Sequence, residues 1–317
     1  LDLAFYNNIT RNQILDVPMD QTTGYTKATM NSGKVRNRGI ELQLDGTPVK
    51  TKNFTWNSTF TWAKNYNKVL SLAAGLTDGQ TIAYTGGTNC ALIAKVGGSI
   101  GDIYGYKLKR APDGQVVWKD GITARTTEFE YVGNAYPAWK AGFSNEFSYK
   151  NFRVSILFDG QWGGIVYSQT HHKMTEHGTL KHTLKYRENP NFEVVGEGMM
   201  LDERGQYVPN NVPISVSKYY ADYWRRANVE TNSFDASFLK LREARIEYTI
   251  PSAGLNKIGI ERLTLALYGR NLAMWTKDFP VYDPEVATLN NGTIVPGSEM
   301  GQLPSTRTMG FNLTLKF

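Results

Sequence analysis

The sequence predicts an all-β protein, specifically a transmembrane antiparallel β-barrel with long extracellular loops, and three observations lead to this prediction. Apolar and polar residues alternate with a period of two along many segments, as they do in strands with one apolar face. No apolar run reaches the roughly 18 residues that a membrane-spanning helix needs. The connections between the alternating segments are short and long in turn, which is typical of outer-membrane barrels.

Eight segments alternate clearly enough to be predicted as spanning strands. Two of them are joined by Lys150 and Asn151 alone, which predicts a tight hairpin. Near Arg242 the apolar residues change parity, which indicates either a β-bulge or a strand that leaves the membrane there. The predicted spans are residues 1–15, 34–46, 53–66, 138–149, 152–166, 238–250, 262–275 and 305–317.

The lengths of the connections predict which side of the membrane each one faces. Short turns of outer-membrane barrels face the periplasm and long loops face outside. Residues 71–136 must then hold an even number of crossings, most simply none. We therefore expect residues 103–109 and 115–118, around the turn at 111–114, to form a hairpin within an extracellular loop.

Composition is compatible with this class and argues against others. Aromatic residues make up 12% of the 317 residues, and the mean hydropathy of −0.40 suits strands that are polar on one face. The single cysteine, Cys90, permits no internal disulfide. The net charge of +6 is scattered rather than clustered, so no nucleic-acid partner is expected.

A soluble β-sandwich is the alternative to a membrane barrel, since its strands also alternate. Sandwich loops seldom run to the length of residues 71–136 at one end only, and a sandwich has no reason to finish on an aromatic residue. In a sandwich, a second sheet would have to bury the rings of Phe54, Trp56, Phe143, Phe147 and Phe311.

Six stretches of the sequence resemble one known family, in the same order along the chain. They begin with MNSGKVRNRGIEL, VGGSIGDIYGYK and GNAYPAWKAGFSNEFSYKNF, and continue with ASFLKLREARIEYTIP, LYGRNLAMWTKDFPVYDPEV and LPSTRTMGFNLTLKF. Together they resemble the C-terminal part of SusC/RagA-type TonB-dependent outer-membrane transporters. The resemblance implies that residues 1–317 are a segment of about eight strands from a larger, plugged barrel of 22, and that the plug domain and the N-terminal strands lie outside this chain.

The resemblance also implies a function, a location and partners. We expect a multi-pass protein of the Gram-negative outer membrane, of a Bacteroidetes type, that imports oligosaccharides or, less often, peptides. It would be the channel subunit of a SusC/SusD-type complex, with a SusD-like surface lipoprotein above it, TonB acting through the missing N-terminal part, and outer-membrane lipid around it. No enzymatic activity and no cofactor are expected. The alternative is a self-contained eight-stranded outer-membrane anchor or adhesin, which a lumen lined by Lys140, Glu146 and Arg153 suits less well.

Two groups of residues are the candidate functional positions. Aromatic rings among polar groups in two loops suit substrate or lipoprotein contact, the alternative being loop packing or an aromatic girdle; these residues are Tyr220, Tyr223, Trp224, Trp275, Tyr282 and Asp283. The resemblance further implies that the terminal alternating residues act as a barrel-assembly signal; these are Phe311, Leu313, Leu315 and Phe317.

All four histidines lie in one segment, THHKMTEHGTLKH, at His171, His172, His177 and His182. The spacing of five residues from His172 onward suits neither a helix face nor a structural zinc site. A solvated loop is therefore expected, with metal binding or pH sensing as the alternative. Residues 118–126 depart from the acidic calcium-like segment that the family often carries, so no calcium is expected in this loop.

Overall fold

The computed structural model describes residues 1–18, 27–72, 79–85, 87–251, 259–281, 283–285, 288–290 and 293–317. The helices are α1 (Gln169–Glu176) and α2 (Val216–Tyr223), with short 3-10 turns at Lys181–Leu184, Pro190–Phe192 and Glu230–Asn232. The strands are β1 (Asp2–Pro18), β2 (Lys27–Lys50), β3 (Phe54–Ser71), β4 (Gln80–Thr85), β5 (Cys90–Ala94), β6 (Asp102–Gly105), β7 (Val117–Lys119), β8 (Ile122–Thr123), β9 (Glu130–Asn134), β10 (Trp139–Tyr149), β11 (Phe152–Trp162), β12 (Ile165–Ser168), β13 (Glu193–Val195), β14 (Met199–Leu201), β15 (Tyr207–Pro209), β16 (Pro213–Ser215), β17 (Ser233–Asp235), β18 (Phe238–Ile250), β19 (Arg262–Thr276), β20 (Thr288–Asn290), β21 (Thr293–Val295), β22 (Ser298–Glu299) and β23 (Thr308–Lys316).

One antiparallel sheet of eight strands dominates the structure. Its order is β1-β2-β3-β10-β11-β18-β19-β23, so each strand pairs with the next one of the set along the chain. These are the eight segments predicted from the alternation, in the predicted order. The bounds differ most at β2 and β3, which run on to Lys50 and Ser71, and at β11, which stops at Trp162.

The parity change in β18 is a β-bulge. The register shifts between Leu241 and Glu243 against both neighbouring strands, and β18 continues beyond it to Ile250. On β19 the compensating irregularity includes Asn271, whose φ of 52° is left-handed. The bulge predicted near Arg242 is therefore confirmed, and the strand stays in the sheet on both sides of it.

The long connections form small sheets of their own. Between β3 and β10 the strands β4, β5, β6 and β9 make one four-stranded sheet, and none of them joins the eight-stranded sheet. The prediction that residues 71–136 add no strand to the large sheet is thus confirmed for the residues that the structure describes.

The hairpin predicted within this loop is only partly correct. The turn exists, since the Ala111 amide donates to the Gln115 carbonyl at 2.9 Å. However, β6 pairs with β5 and β9, and β7 pairs with β8 and β14. Ile103 on β6 is 1% exposed and packs in a cluster with Leu92 and Val229. Burial of this side chain therefore favours the pairing of β6 with β5 and β9 over a hairpin across the local turn.

The hydrophobic core lies mainly among these loops, and no second sheet covers the eight-stranded one within the described part of the chain. The largest buried cluster comprises Cys90, Leu92, Ile103, Tyr167, Val229 and Val295. By contrast, the rings of Phe143 and Phe311 on the large sheet are 42% and 77% exposed. A sandwich would have buried these rings, so the sandwich alternative is wrong. No helix in the described ranges has the length and apolar character to cross a membrane.

Candidate functional site

One face of the eight-stranded sheet is a continuous, exposed apolar surface. The strand registers align apolar residues from strand to strand, and many of their side chains remain open, such as Ile246 at 47% and Leu267 at 63% exposure. An exposed apolar area of this extent marks a surface that contacts lipid or protein. One row, running across six strands, consists of Trp56, Phe147, Val154, Ile246, Leu267 and Phe311.

The opposite face is polar and carries ion pairs between neighbouring strands. Arg153 on β11 lies 3.3 Å from Glu247 on β18 and 3.8 Å from Glu146 on β10. Arg245 and Glu247, both on β18, approach to 2.9 Å. Charged groups in such numbers need water or other polar groups around them. The sheet therefore separates an apolar environment from an aqueous one.

Two rows of aromatic rings bound the apolar face. At one end Trp139 pairs with Trp162 and their rings stack at 6.4 Å between centroids. At the other end Tyr149 pairs with Phe152, whose ring lies 4.5 Å from that of Tyr248. Ten residues separate Trp139 from Tyr149, which is about 34 Å of strand and about 26 Å of height at a tilt of about 40°. Outer-membrane barrels have an apolar band of about 25 Å between aromatic girdles.

Helix α2 brings three of the predicted loop residues together. Its N-terminus is capped by Ser215, whose hydroxyl accepts a hydrogen bond from the Lys218 amide at 3.2 Å. The ring of Tyr220 lies 5.5 Å from that of Trp224, and Tyr223 stacks on Trp118 of the other loop at 6.0 Å. Tyr220 is only 5% exposed, and its hydroxyl donates to backbone carbonyls at 2.8 and 2.9 Å. In this chain these rings pack loop against loop, the alternative left open by the sequence.

Two of the histidines are buried, so the expectation of a solvated loop is wrong for them. His171 and His172 lie on α1 and are 2% and 5% exposed, because α1 packs against α2 and the Glu230–Asn232 turn. His171 Nδ1 lies 2.9 Å from the Asn232 side-chain oxygen. His172 Nδ1 donates to the Trp224 carbonyl at 2.8 Å.

The surroundings of three of the histidines disfavour their charged forms. Burial lowers the pKa of His171 to about 4, and it also lowers the pKa values of His172 and His182. His182 stacks on His171 at 5.3 Å, which suits two uncharged rings. His177 is exposed at the C-terminal end of α1. Within the described part of the chain, no group of three or more His, Cys, Asp or Glu residues could hold a metal ion.

The other predicted loop residues occupy different environments. Trp275 is on β19, 53% exposed beside Leu239 on the apolar face, at the level expected for a girdle. Asp283 is 4% exposed, and both of its carboxylate oxygens accept hydrogen bonds from Lys240, at 2.6 and 2.7 Å. Burial alone would raise the pKa of Asp283, but the bonds from Lys240 and from the Glu285 amide hold it below its usual value. Tyr282 lies outside the described residues.

Sequence reasoning missed the ionic cluster around Asp283. Lys240 also pairs with Glu285, and Glu285 accepts a hydrogen bond from Arg242 at 2.6 Å. Arg242, in the bulge, donates to Asp159 of β11 at 2.7 Å. The cluster ties the loop after β19 to the polar face of β11 and β18. The available signal was the pair of basic residues in FLKLRE together with the acidic residues of DPE, 43 residues further along the chain.

The predicted assembly-signal residues form the last part of the apolar face. Phe311, Leu313 and Leu315 pair with residues of the same face on β19, at Leu267, Leu265 and Leu263. All three are open, and Phe317, just after β23, is 77% exposed.

Comparison with known proteins finds relatives over the whole chain, although no protein-family model matches it. The TonB-dependent receptor P26 of Formosa agariphila is 29% identical over 346 aligned residues, which cover 100% of this chain and 32% of the relative. The TonB-dependent receptor SusC of Bacteroides thetaiotaomicron is 26% identical over 151 residues, covering 44% of this chain and 15% of the relative. The solved structure of the RagAB peptide transporter has a TM-score of 0.69 at 20% identity and covers 99% of this chain and 33% of that one.

These relatives agree with the resemblance that the sequence motifs indicate. The fold is that of a TonB-dependent transporter, and the resemblance to the C-terminal part of a SusC/RagA-type transporter, predicted from the sequence motifs, is confirmed. The chain spans about a third of the length of the TonB-dependent receptors that it matches throughout.

Proposed function

We propose that this chain forms part of the barrel wall of a SusC/RagA-type importer in the outer membrane of a Gram-negative bacterium. The observation that carries the proposal is the exposed apolar face between two aromatic rows, with a charged face behind it. The apolar face contacts lipid and the charged face lines the lumen. The loops that hold α1 and α2 then lie outside the cell, and the short turns lie in the periplasm.

The eight strands belong to a wider wall. In the described residues β1 pairs only with β2 and β23 pairs only with β19, so the sheet has two open edges. Unpaired backbone groups cannot remain in lipid, because each one costs several kcal/mol, on the order of the desolvation of a peptide group. We therefore assign further strands to both edges, in a closed barrel of 22 strands, in preference to a self-contained eight-stranded anchor.

The cargo is an oligosaccharide or a peptide, and import is energised through TonB. The likeness to the RagAB peptide transporter supports the peptide class, and the oligosaccharide class is what the sequence resemblance to SusC-type transporters implies. A SusD-like surface lipoprotein covers the extracellular loops, and TonB acts on a plug domain outside this chain. We assign the partly exposed rings of Tyr223 and Trp224 to cargo or lipoprotein contact. Trp275 lies on the face that we assign to lipid. The chain itself performs no chemistry in this scheme.

Uptake by cells tests this function. Strains with and without the full-length gene would be supplied with fluorescent oligosaccharides or with fluorescent oligopeptides, and accumulation would be measured with TonB present and absent. We expect uptake of one cargo class to require both the gene and TonB. Uptake that is unaffected by deleting the gene, together with recovery of the protein in the soluble fraction, would refute the proposal.

A further inference from the structure

We propose that the apolar face carries a specific site for an acyl chain of an anionic outer-membrane lipid, in a hollow at Ala141 and Gly160. This inference rests on the proposed function, because it requires that the face contact lipid. The site lies directly below the tryptophan pair Trp139 and Trp162, where a lipid chain leaves its headgroup.

The strand registers create the hollow. Ala141 pairs with Gly160, so two of the smallest side chains lie next to each other on adjacent strands. Two residues above them on the same face are Trp139 and Trp162, and two residues below them are Phe143 and Phe158. Four aromatic rings thus surround a patch that has almost no side chain of its own. The resulting cavity has a volume of about 460 Å³ and is walled mostly by apolar groups.

The backbone requires the gap at Gly160. A Cβ atom at this position would lie 2.7 Å from the Phe238 carbonyl oxygen and 3.5 Å from the Leu239 Cα atom. Both contacts are with backbone of the neighbouring strand β18, which cannot move without breaking the ladder. Position 160 therefore cannot carry a side chain that would fill the floor of the hollow.

Two lysines lie at the height of the tryptophan pair. Lys140 pairs with Ala63, so Lys64 is next to Trp139 in register, and its ammonium group lies 4.8 Å from the Tyr66 ring centre. On the other side, the ammonium group of Lys277 lies 5.3 Å from the ring centre of Trp162 and 2.6 Å from Asp235.

These lysines identify the occupant. Cations beside interfacial tryptophans are placed to meet the anionic phosphates of lipid headgroups, while the hollow beneath is apolar. The Lys277 side chain is 52% exposed, and a second protein chain covering the hollow would have to desolvate it. Charge and apolarity together therefore favour an anionic lipid over a protein partner.

Quenching of tryptophan fluorescence by brominated lipids tests the site. The full-length protein would be reconstituted into phosphatidylcholine vesicles containing phosphatidylglycerol with brominated acyl chains, and then with brominated phosphatidylcholine instead. We expect a saturable quenching component for the anionic lipid, with a preference of about fivefold, since one lysine near the headgroups contributes about that factor and Lys277 is partly neutralised.

Substitutions distinguish the role of the hollow from the role of the residues at its rim. Ala141→Leu should remove the saturable component, whereas Ala244→Leu, a matched change on the same face outside the hollow, should leave it intact. The double variant Lys64→Gln, Lys277→Gln should abolish the preference for the anionic lipid and retain quenching by phosphatidylcholine. Trp162→Phe keeps a ring at the rim but removes one of the three tryptophans that line the hollow, so the saturable component should fall even if Ala141→Leu does not fold.

Three outcomes would overturn the inference or what it rests on. Equal quenching in the Ala141→Leu and Ala244→Leu variants would show that no lipid chain occupies the hollow. Loss of a dimer in Ala141→Leu, seen by light scattering, would show that a second copy of the chain covers it. Failure of the wild-type protein to float with vesicles would refute the proposed membrane function instead.

Discussion

Placing an arginine on the apolar face at different depths should reveal the membrane directly. Phe143 lies four residues below Trp139 and six above Tyr149, which puts it about 10 Å below one aromatic row and about 16 Å above the other, close to mid-membrane. An arginine at that depth costs about 2 to 4 kcal/mol. Phe143→Arg should therefore reduce the folding equilibrium constant by about 30-fold to 1,000-fold.

Two controls isolate the cause of this loss. Ser144, the next residue of β10, pairs with Thr59 on the polar face, so Ser144→Arg should change stability by less than about 0.5 kcal/mol. Leu265 is on the apolar face but pairs with Tyr248 in the lower aromatic row, so Leu265→Arg should cost only about 1 kcal/mol or less. The assay is reversible urea unfolding of the full-length protein in lipid vesicles. Equal costs for Phe143→Arg and Ser144→Arg would refute the assignment of the two faces.

Three further predictions concern polar groups in the sheet and loops. The Trp56 indole donates to the Asn145 side-chain oxygen at 2.9 Å on the apolar face, so a Trp56→Phe and Asn145→Leu double-mutant cycle in unfolding experiments should give a coupling of about 0.6 to 1.7 kcal/mol. Asp283→Asn should destabilise the contact between its loop and the sheet by about 1 to 3 kcal/mol, since the buried Lys240 loses one of its two charge partners and keeps Glu285, and faster amide exchange in β18 would measure this. The burial of His171 should make the loops that hold α1 and α2 less stable by about 3 kcal/mol as the pH falls from about 6.5 to 4. The rate of proteolysis of these loops would measure the change.

The sign of the histidine effect follows from proton binding. The folded protein holds His171 neutral until about pH 4, whereas the unfolded chain binds the proton at about pH 6.5. Between these values the unfolded state binds more protons, so stability falls as the pH falls. His171→Asn should reduce this dependence and leave the part that His172 and His182 contribute in the same direction, whereas His177→Asn, an exposed control, should not change it. A pH profile unchanged by His171→Asn would contradict the burial that the structure gives this ring.

The strands of the large sheet could be predicted because their physical cause is local. A strand with one apolar and one polar face must alternate with a period of two, whatever it pairs with. The bulge at Arg242 was visible for the same reason, since an extra residue reverses the parity. Meander pairing also follows from sequence order, because short turns bring consecutive antiparallel strands together.

The structure of the long loops could not be predicted, because it depends on contacts between residues that are far apart in the sequence. The α1 helix buries His171 against Asn232, and no local spacing in THHKMTEH signals that contact. Asp283 was predicted to contact substrate or lipoprotein, and its burial became evident only when the structure placed Lys240, 43 positions earlier, beside it. Trp275 was grouped with loop residues although the predicted strand 262–275 included it, and the structure places it on that strand opposite Leu239.

The central claim is that the sheet separates lipid from water. Its most direct test is to measure the environment of consecutive positions along β10. Single cysteines at positions 142 to 147 of the full-length protein would be spin-labelled in lipid vesicles, the native Cys90 being buried, and collision rates with oxygen and with a water-soluble nickel chelate would be measured. Odd positions should be accessible to oxygen and protected from nickel, with the reverse at even positions. Equal access of nickel to both sets would contradict a sheet that separates lipid from water.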